Sequence, residues 1–193
     1  MSNSSNSVVM SDPPIANALF NNTKLAWIWL IVRLYVGYEW ITAGLEKIQS
    51  PAWMQNGSAL KGYWTSAIAV PAAPARPAIT YSWYRSFLEF LLNHQTYVWF
   101  GKLVSLGEFL VGIALVLGIF VGIAAFFGGL MNFNYMLAGS ASTNPVLFIL
   151  SILLMLSWKT AGYWGVDHFM LRFLGTPWKP GDAFRKKPPV EAK

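Results

Sequence analysis

Hydrophobic positions along this chain gather into long stretches that are apolar almost all round, not along one stripe. The first predicted helix covers residues 25–48 and stops at Ser50-Pro51, because proline cannot continue a helical ladder. From Phe109 to Trp158 there is no Asp, Glu, Lys, Arg or His. One bilayer crossing takes roughly 20 residues, so that run crosses more than twice. Breaks at Gly118 to Gly122 and at Gly139 to Pro145 divide it. The predicted helices are therefore 25–48, 96–117, 121–138 and 145–158. Connected by short turns, they make an all-α, integral-membrane, four-helix up-down bundle with a long, partly helical first extracytoplasmic loop, residues 51–95.

Within that loop, residues 57–70 read as a short helix or a re-entrant segment, and 71–78 (PAAPARPA) as extended chain. Residues 83–93 set Trp83, Phe87, Phe90 and Leu91 near one face, the pattern of an interfacial amphipathic helix. Residues 1–24 are rich in Ser and Asn and read as a disordered tail. Residues 162–175 read as a short amphipathic helix lying on the inner surface, with Asp167 near its start.

The charged positions inside the apolar stretches stand out. At 100° per residue, Arg33, Gly37, Trp40, Gly44 and Lys47 share one narrow face, and Glu39 and Glu46 lie beside it. The two glycines allow a second helix to approach closely. Charges at membrane depth are costly and should meet partners inside the bundle. With the inner helix ends aligned at 1.5 Å per residue, Arg33 and Glu108 fall at similar depths, as do Glu39 and Lys102. Two ion pairs are expected, Arg33–Glu108 and Glu39–Lys102. Asn132, Asn134 and Tyr135 extend this polar layer.

Composition agrees with a membrane protein: 55% of the 193 residues are hydrophobic and 11% charged, against about 25% charged in soluble domains. The 10 Trp and 8 Tyr suit interfacial belts. The net charge of +6 does not argue for nucleic acid, because seven of the fourteen basic residues lie at or after Lys159. That cluster predicts a cytoplasmic C-terminus, a basic tail over 179–193 and, with four crossings, a cytoplasmic N-terminus. Without Cys, this chain offers no thiolate nucleophile or iron–sulfur ligation. With two His, metal or haem ligation is a poor expectation.

The segments RLYVGYEWITAGLEKI (33–48), GEFLVGIALVLGIF (107–120) and GYWGVDHFMLRFLG (162–175) resemble the signature segments of the DoxX family of small four-helix membrane proteins. NGSALKGYW (56–64) and MNFNYMLAGSASTNP (131–145) resemble its DoxD branch, the large subunit of thiosulfate:quinone oxidoreductase. The likeness covers roughly residues 25–178. It implies a multi-pass protein of the cytoplasmic membrane that oxidises thiosulfate to tetrathionate and passes electrons to non-covalently bound quinone. No metal or haem is implied. Candidate partners are the lipid bilayer, a DoxA-like small subunit and further copies of the chain.

That chemistry assigns roles. A dianion needs cations, and Lys47, Lys61, Arg76 and Arg85 are the outward candidates. Quinone needs an aromatic cleft with polar groups, for which Tyr38, Trp40, Asn134 and Tyr135 are candidates. A carboxylate would relay protons, Glu39 or Glu108, with Arg33 and Lys102 as charged partners in the catalytic layer. His94, at the outer interface, is a further relay candidate, although a lone interfacial His is more often simply solvated. Two other function classes fit the same residues: a non-catalytic membrane anchor or assembly subunit for another redox protein, and a small-solute transporter using the buried charges.

Overall fold

A computed structural model describes residues 12–176 and 179–184. Among them the fold is all-α, with ten α-helices. They are α1 (Pro14–Asn21), α2 (Ala26–Gln49), α3 (Pro51–Met54), α4 (Ser58–Ile68), α5 (Ser82–Asn93), α6 (Tyr97–Leu117), α7 (Val121–Leu137), α8 (Asn144–Leu156), α9 (Trp158–Ala161) and α10 (Asp167–Leu174). A two-residue antiparallel ladder pairs β1 (Gly175–Thr176) with β2 (Lys179–Pro180).

The long helices lie where the apolar pattern puts them, within about two residues at each end. The last of them stops at Leu156, and α9 continues the path after a break at Ser157. The tail is a clearer departure. Residues 14–21, expected to be disordered, form α1, which Pro14 starts at its first turn. Phe20 of α1 stacks on Trp29 at 5.6 Å, and the Trp29 indole donates to the Leu19 carbonyl. Packing on the N-terminal end of α2 thus outweighs a polar local composition. The rest of that tail, before residue 12, lies outside the described residues, as does the basic tail after residue 184.

Glycines set how α2 meets α6. The two run antiparallel, and a Cβ on Gly44 would lie 2.5 Å from the Phe109 nitrogen. On the other side a Cβ on Gly112 would lie 2.6 Å from the Ile41 nitrogen. The helix backbones are therefore in direct contact, as close small-residue packing allows. Likewise α7 runs antiparallel along α8, with Gly129 against Ser151, and Gly122 meets Trp158 at the start of α9. One hydrophobic core, including Val36, Trp40, Leu115, Ala125 and Leu154, fills the space between α2, α6, α7 and α8. A second, including Leu60, Trp64, Tyr84, Leu88 and Ala138, lies under the cap formed by α4 and α5. On α5, Trp83, Phe87 and Phe90 stay exposed as the amphipathic pattern predicts, whereas Leu91 turns inward beside Leu88.

Among the described residues, α6 is the helix long and apolar enough by itself to cross a membrane. The apolar helices α7 and α8 are shorter, at 17 and 13 residues.

Candidate functional site

The polar face of α2 divides between the two ends of the molecule. Arg33 is buried at the end where α6 stops. There Gly118 closes the helix in the left-handed conformation (φ 71°), and a Cβ on it would collide with the Arg33 guanidinium. Arg33 Nη2 donates to the Trp164 carbonyl at 3.2 Å. Close by, the Asp167 carboxylate accepts from the backbone nitrogens of Phe120 (2.6 Å) and Val121 (2.8 Å). Asp167 therefore caps α7 from a helix far along the chain, besides beginning its own. Burial pushes its carboxyl above the ordinary value, while those two hydrogen bonds and the Arg33 charge pull the other way.

This arrangement corrects the expected Arg33–Glu108 pair. With the adjacent ends of α2 and α6 flush, Arg33 and Glu108 would share a level. In fact Arg33 lies level with Gly118, so the first two turns of α2 project about 10 Å past the end of α6. The register follows the glycine contacts, and it brings Lys47 to Glu108 instead. Lys47 Nζ lies 2.6 Å from Glu108 Oε2, and Glu108 is 1% exposed. The expected Glu39–Lys102 pair is also absent among the described residues. Lys102 is exposed on α6, whereas Glu39 is half-buried and turned toward the interior.

Lys47 and Glu108 line a chamber of about 330 Å³ together with Glu39, Trp40, Trp53, Tyr63, Asn132 and Tyr135. Ser140, Ser142 and Thr143 of the α7–α8 turn and Asn144 at the start of α8 also line it. Lys47 also lies 5.4 Å from the Trp53 ring. The Tyr135 hydroxyl donates to Glu108 Oε1 at 2.5 Å. Both oxygens of a buried carboxylate are thus engaged, one by an ammonium and one by a phenol. On the far side of Tyr135 runs an apolar groove of about 470 Å³ between α4, α5, α6 and α7. Tyr63 and Tyr135 line both spaces, their rings edge to face at 6.2 Å. Polar groups at the groove are few: Tyr84 donates to the Asn134 carbonyl oxygen at 3.0 Å. Burial pushes the Tyr84 hydroxyl up to about 12, aided by Tyr63. Burial also raises Tyr63, against a hydrogen bond with Ser140.

The candidates read from sequence therefore separate. Glu39, Trp40, Lys47, Glu108 and Tyr135 converge on the chamber, and Asn134 and Tyr135 on the groove. Tyr38 is 63% exposed on the outside of α2. The outward cations are not gathered around Lys47. Lys61 is exposed over the Tyr97 ring, Arg76 is exposed, and Arg85 donates to the Ile79 carbonyl at 2.8 Å. The reason is local: Lys61 lies on the exposed side of α4, Arg76 in the exposed segment between α4 and α5, and Arg85 is half-buried and turned to the Ile79 carbonyl. His94 is exposed, its ring nitrogen 2.8 Å from the Phe90 carbonyl within its own helix end.

Three contributors escaped a site assignment from sequence. Tyr63 and Trp53 come from the loop, where nothing in the local pattern points inward. Asn132 was visible as a polar residue in an apolar run, but not as a chamber wall. It is fully buried, and both of its amide atoms lack a partner. Among the described residues no group of three His, Cys, Asp or Glu is placed to hold a metal ion. Set against known families, curated proteins and solved structures, the chain matches none of them.

Proposed function

We propose that this chain is the membrane subunit of a quinone-linked oxidoreductase, with thiosulfate oxidised to tetrathionate as the electron-donating reaction. The observation that carries the reading is the shared wall. One tyrosine, Tyr135, faces an apolar groove suited to a quinone and donates a hydrogen bond to the carboxylate of a polar chamber suited to a hydrophilic donor. Quinone reduction takes up two electrons and two protons. A phenol bonded to a buried carboxylate is a short path for those protons, and Lys47 holds the carboxylate in place. The resemblance to the DoxD branch supplies the donor's identity.

In this reading α2, α6, α7 and α8 span the bilayer as a four-helix bundle with both termini cytoplasmic, and α9 lengthens α8 at the inner face. Support comes from the apolar side chains that face outward: Ile31 and Leu34 on α2, Leu103 and Leu110 on α6, Phe126 and Leu130 on α7, Ile149 and Leu156 on α8 are each more than two-fifths exposed. Such a belt is unusual on a water-facing surface. The modest lengths of α7 and α8 would be met by local thinning of the lipid.

The test is reduction of a short-chain quinone by thiosulfate with purified protein in detergent. Tyr135→Phe should lower kcat at least tenfold with little change in the KM for quinone. No thiosulfate-dependent reduction by the unmodified protein, alone or with a small partner subunit, overturns the reading. One observation favours a second reading, a non-catalytic assembly subunit: Lys61, Arg76 and Arg85 stand apart, so the chamber holds a single cation that is already paired.

A further inference from the structure

The apolar groove is open on one side. Its wall includes Phe87, Leu103, Leu110, Phe127 and Leu130, each more than two-fifths exposed on the outside of the molecule. It therefore lies open along the seam between α6 and α7, on the face that the membrane reading gives to lipid. The seam is loose at Gly107 of α6. A Cβ there would meet only the Met131 sulfur, at 3.9 Å, whereas one on Gly128, a turn further in, would lie 3.4 Å from Val111. Polarity is graded along the groove. Tyr84, Asn134 and Tyr135 mark the end under α5, close to where α7 stops at Leu137. Leu110 and Phe127 mark the other end. Phe127 lies seven residues back along α7 from Asn134, or about 10 Å. No charged side chain among the described residues lines the groove. Asn134 nonetheless keeps a donor in hand. Its Nδ2 gives one hydrogen to the Leu130 carbonyl at 2.8 Å, and its Oδ1 accepts from the Tyr84 hydroxyl at 3.3 Å. The second amide hydrogen has no protein partner among the described residues.

We propose that the groove takes a long-tailed quinone sideways from the bilayer, its ring under α5 against Asn134 and its tail along the α6–α7 seam past Gly107. The grading sets the direction. The ring carbonyl needs a donor, which Asn134 Nδ2 supplies, and the tail needs the apolar end, which runs toward the middle of the bilayer. A phospholipid lying the same way would bring a phosphate to a wall without a cation, and an unpaired charge is costly there. A neutral head with carbonyl acceptors carries no such cost. Gly107 sets the specificity, because any side chain at that position stands in the path of the tail. Tyr84 is a positioning residue: its hydroxyl donates to the Asn134 backbone carbonyl at 3.0 Å and so ties α5 to α7 over the ring. The inference rests on the reading of the groove as the quinone side of a membrane protein. It adds the route of entry, the orientation of the ligand and a requirement for its tail.

The experiment is photolabelling of the full chain in phosphatidylcholine vesicles, with a quinone whose alkyl tail ends in a diazirine. Peptide mass spectrometry should place the label on α6 around Gly107 and Leu110 and on α7 around Phe127 and Met131. Unlabelled quinone with the same tail should compete, and the same ring without a tail should need at least tenfold more. Gly107→Leu should lower labelling at least tenfold while the melting temperature holds or rises, because a helical glycine is replaced where space is open. Asn134→Leu should weaken competition by the quinone about tenfold, yet leave unchanged that of an alkylbenzene with the same tail. Label spread equally over α2 and α8 without competition overturns the proposal, as does a Gly107→Leu variant labelled like the parent. Competition by phosphatidylglycerol as strong as that by quinone overturns it too, in favour of a structural lipid. In each of these cases the oxidoreductase reading stands if thiosulfate still reduces quinone. The expected labelling in a protein without that reaction supports the groove assignment and removes the donor. Should Asn134→Leu not fold, the Gly107→Leu result and the tail dependence decide.

Discussion

Two side chains test the corrected pairing. Removing either Lys47 or Glu108 alone leaves a charge uncompensated in a buried setting, an expected loss of about 3–5 kcal/mol. Exchanging both, as Lys47→Met with Glu108→Leu, should be milder than either single change, so a double-mutant cycle in detergent should show strong coupling. The same cycle between Arg33 and Glu108 should show almost none, because those residues sit at different levels of α2 and α6. At the other end, Asp167→Ala removes the acceptor for two backbone N–H groups of α7 and should cost about 1–2 kcal/mol. Its titration has a definite sign. A carboxyl whose folded value is raised above the ordinary 3.8 holds its proton more tightly in the folded than in the unfolded protein. Its contribution is fully present below that ordinary value and is lost as pH rises through the raised one. Melting of the parent protein against Asp167→Asn should therefore show the parent losing ground as pH climbs from about 3.5 upward.

At the scale of helices, the α2–α6 contact is the most sensitive joint. Gly44→Ala and Gly112→Ala each place a methyl group against backbone atoms under 3 Å away, and overpacking of this kind should cost about 1–3 kcal/mol. Gly62, inside α4 with nothing within 4 Å of its would-be Cβ, is the control. Gly62→Ala should be neutral or stabilising by up to about 1 kcal/mol, read as a shift in melting temperature. These glycines also explain what the sequence made legible. Apolar runs, Pro51 and the Gly118 break are local signals, and the long helices follow from them closely. So does the shared face of Arg33, Gly37, Trp40 and Gly44, all of which are buried. Register between helices is not local. It depends on which backbone atoms touch, and a depth estimate that assumes flush helix ends misplaces every pairing derived from it. The loop residues Tyr63 and Trp53 were hidden for the same reason: their inward direction is fixed by α4 and α3 docking on α6 and α7, not by their neighbours in sequence. Helix α1 was missed because a few apolar contacts with Trp29 outweigh a polar composition.

For the whole molecule, the membrane reading makes a labelling prediction that the absence of native Cys keeps clean. Ser140→Cys, in the α7–α8 turn lining the chamber, should react with a membrane-impermeant thiol reagent added outside cells. Reaction only after the cytoplasmic face is opened would invert the proposed orientation. The wall formed by Tyr63 and Tyr135 has a kinetic consequence. Two cavities separated by a pair of aromatic rings can be filled at once, so in the proposed function donor (two thiosulfates per quinone) and quinone would be bound together, with no need for one product to leave before the second substrate arrives. Double-reciprocal plots at several fixed levels of the second substrate should intersect instead of running parallel. A dead-end quinone analogue should compete with quinone yet act as a non-competitive inhibitor toward the donor.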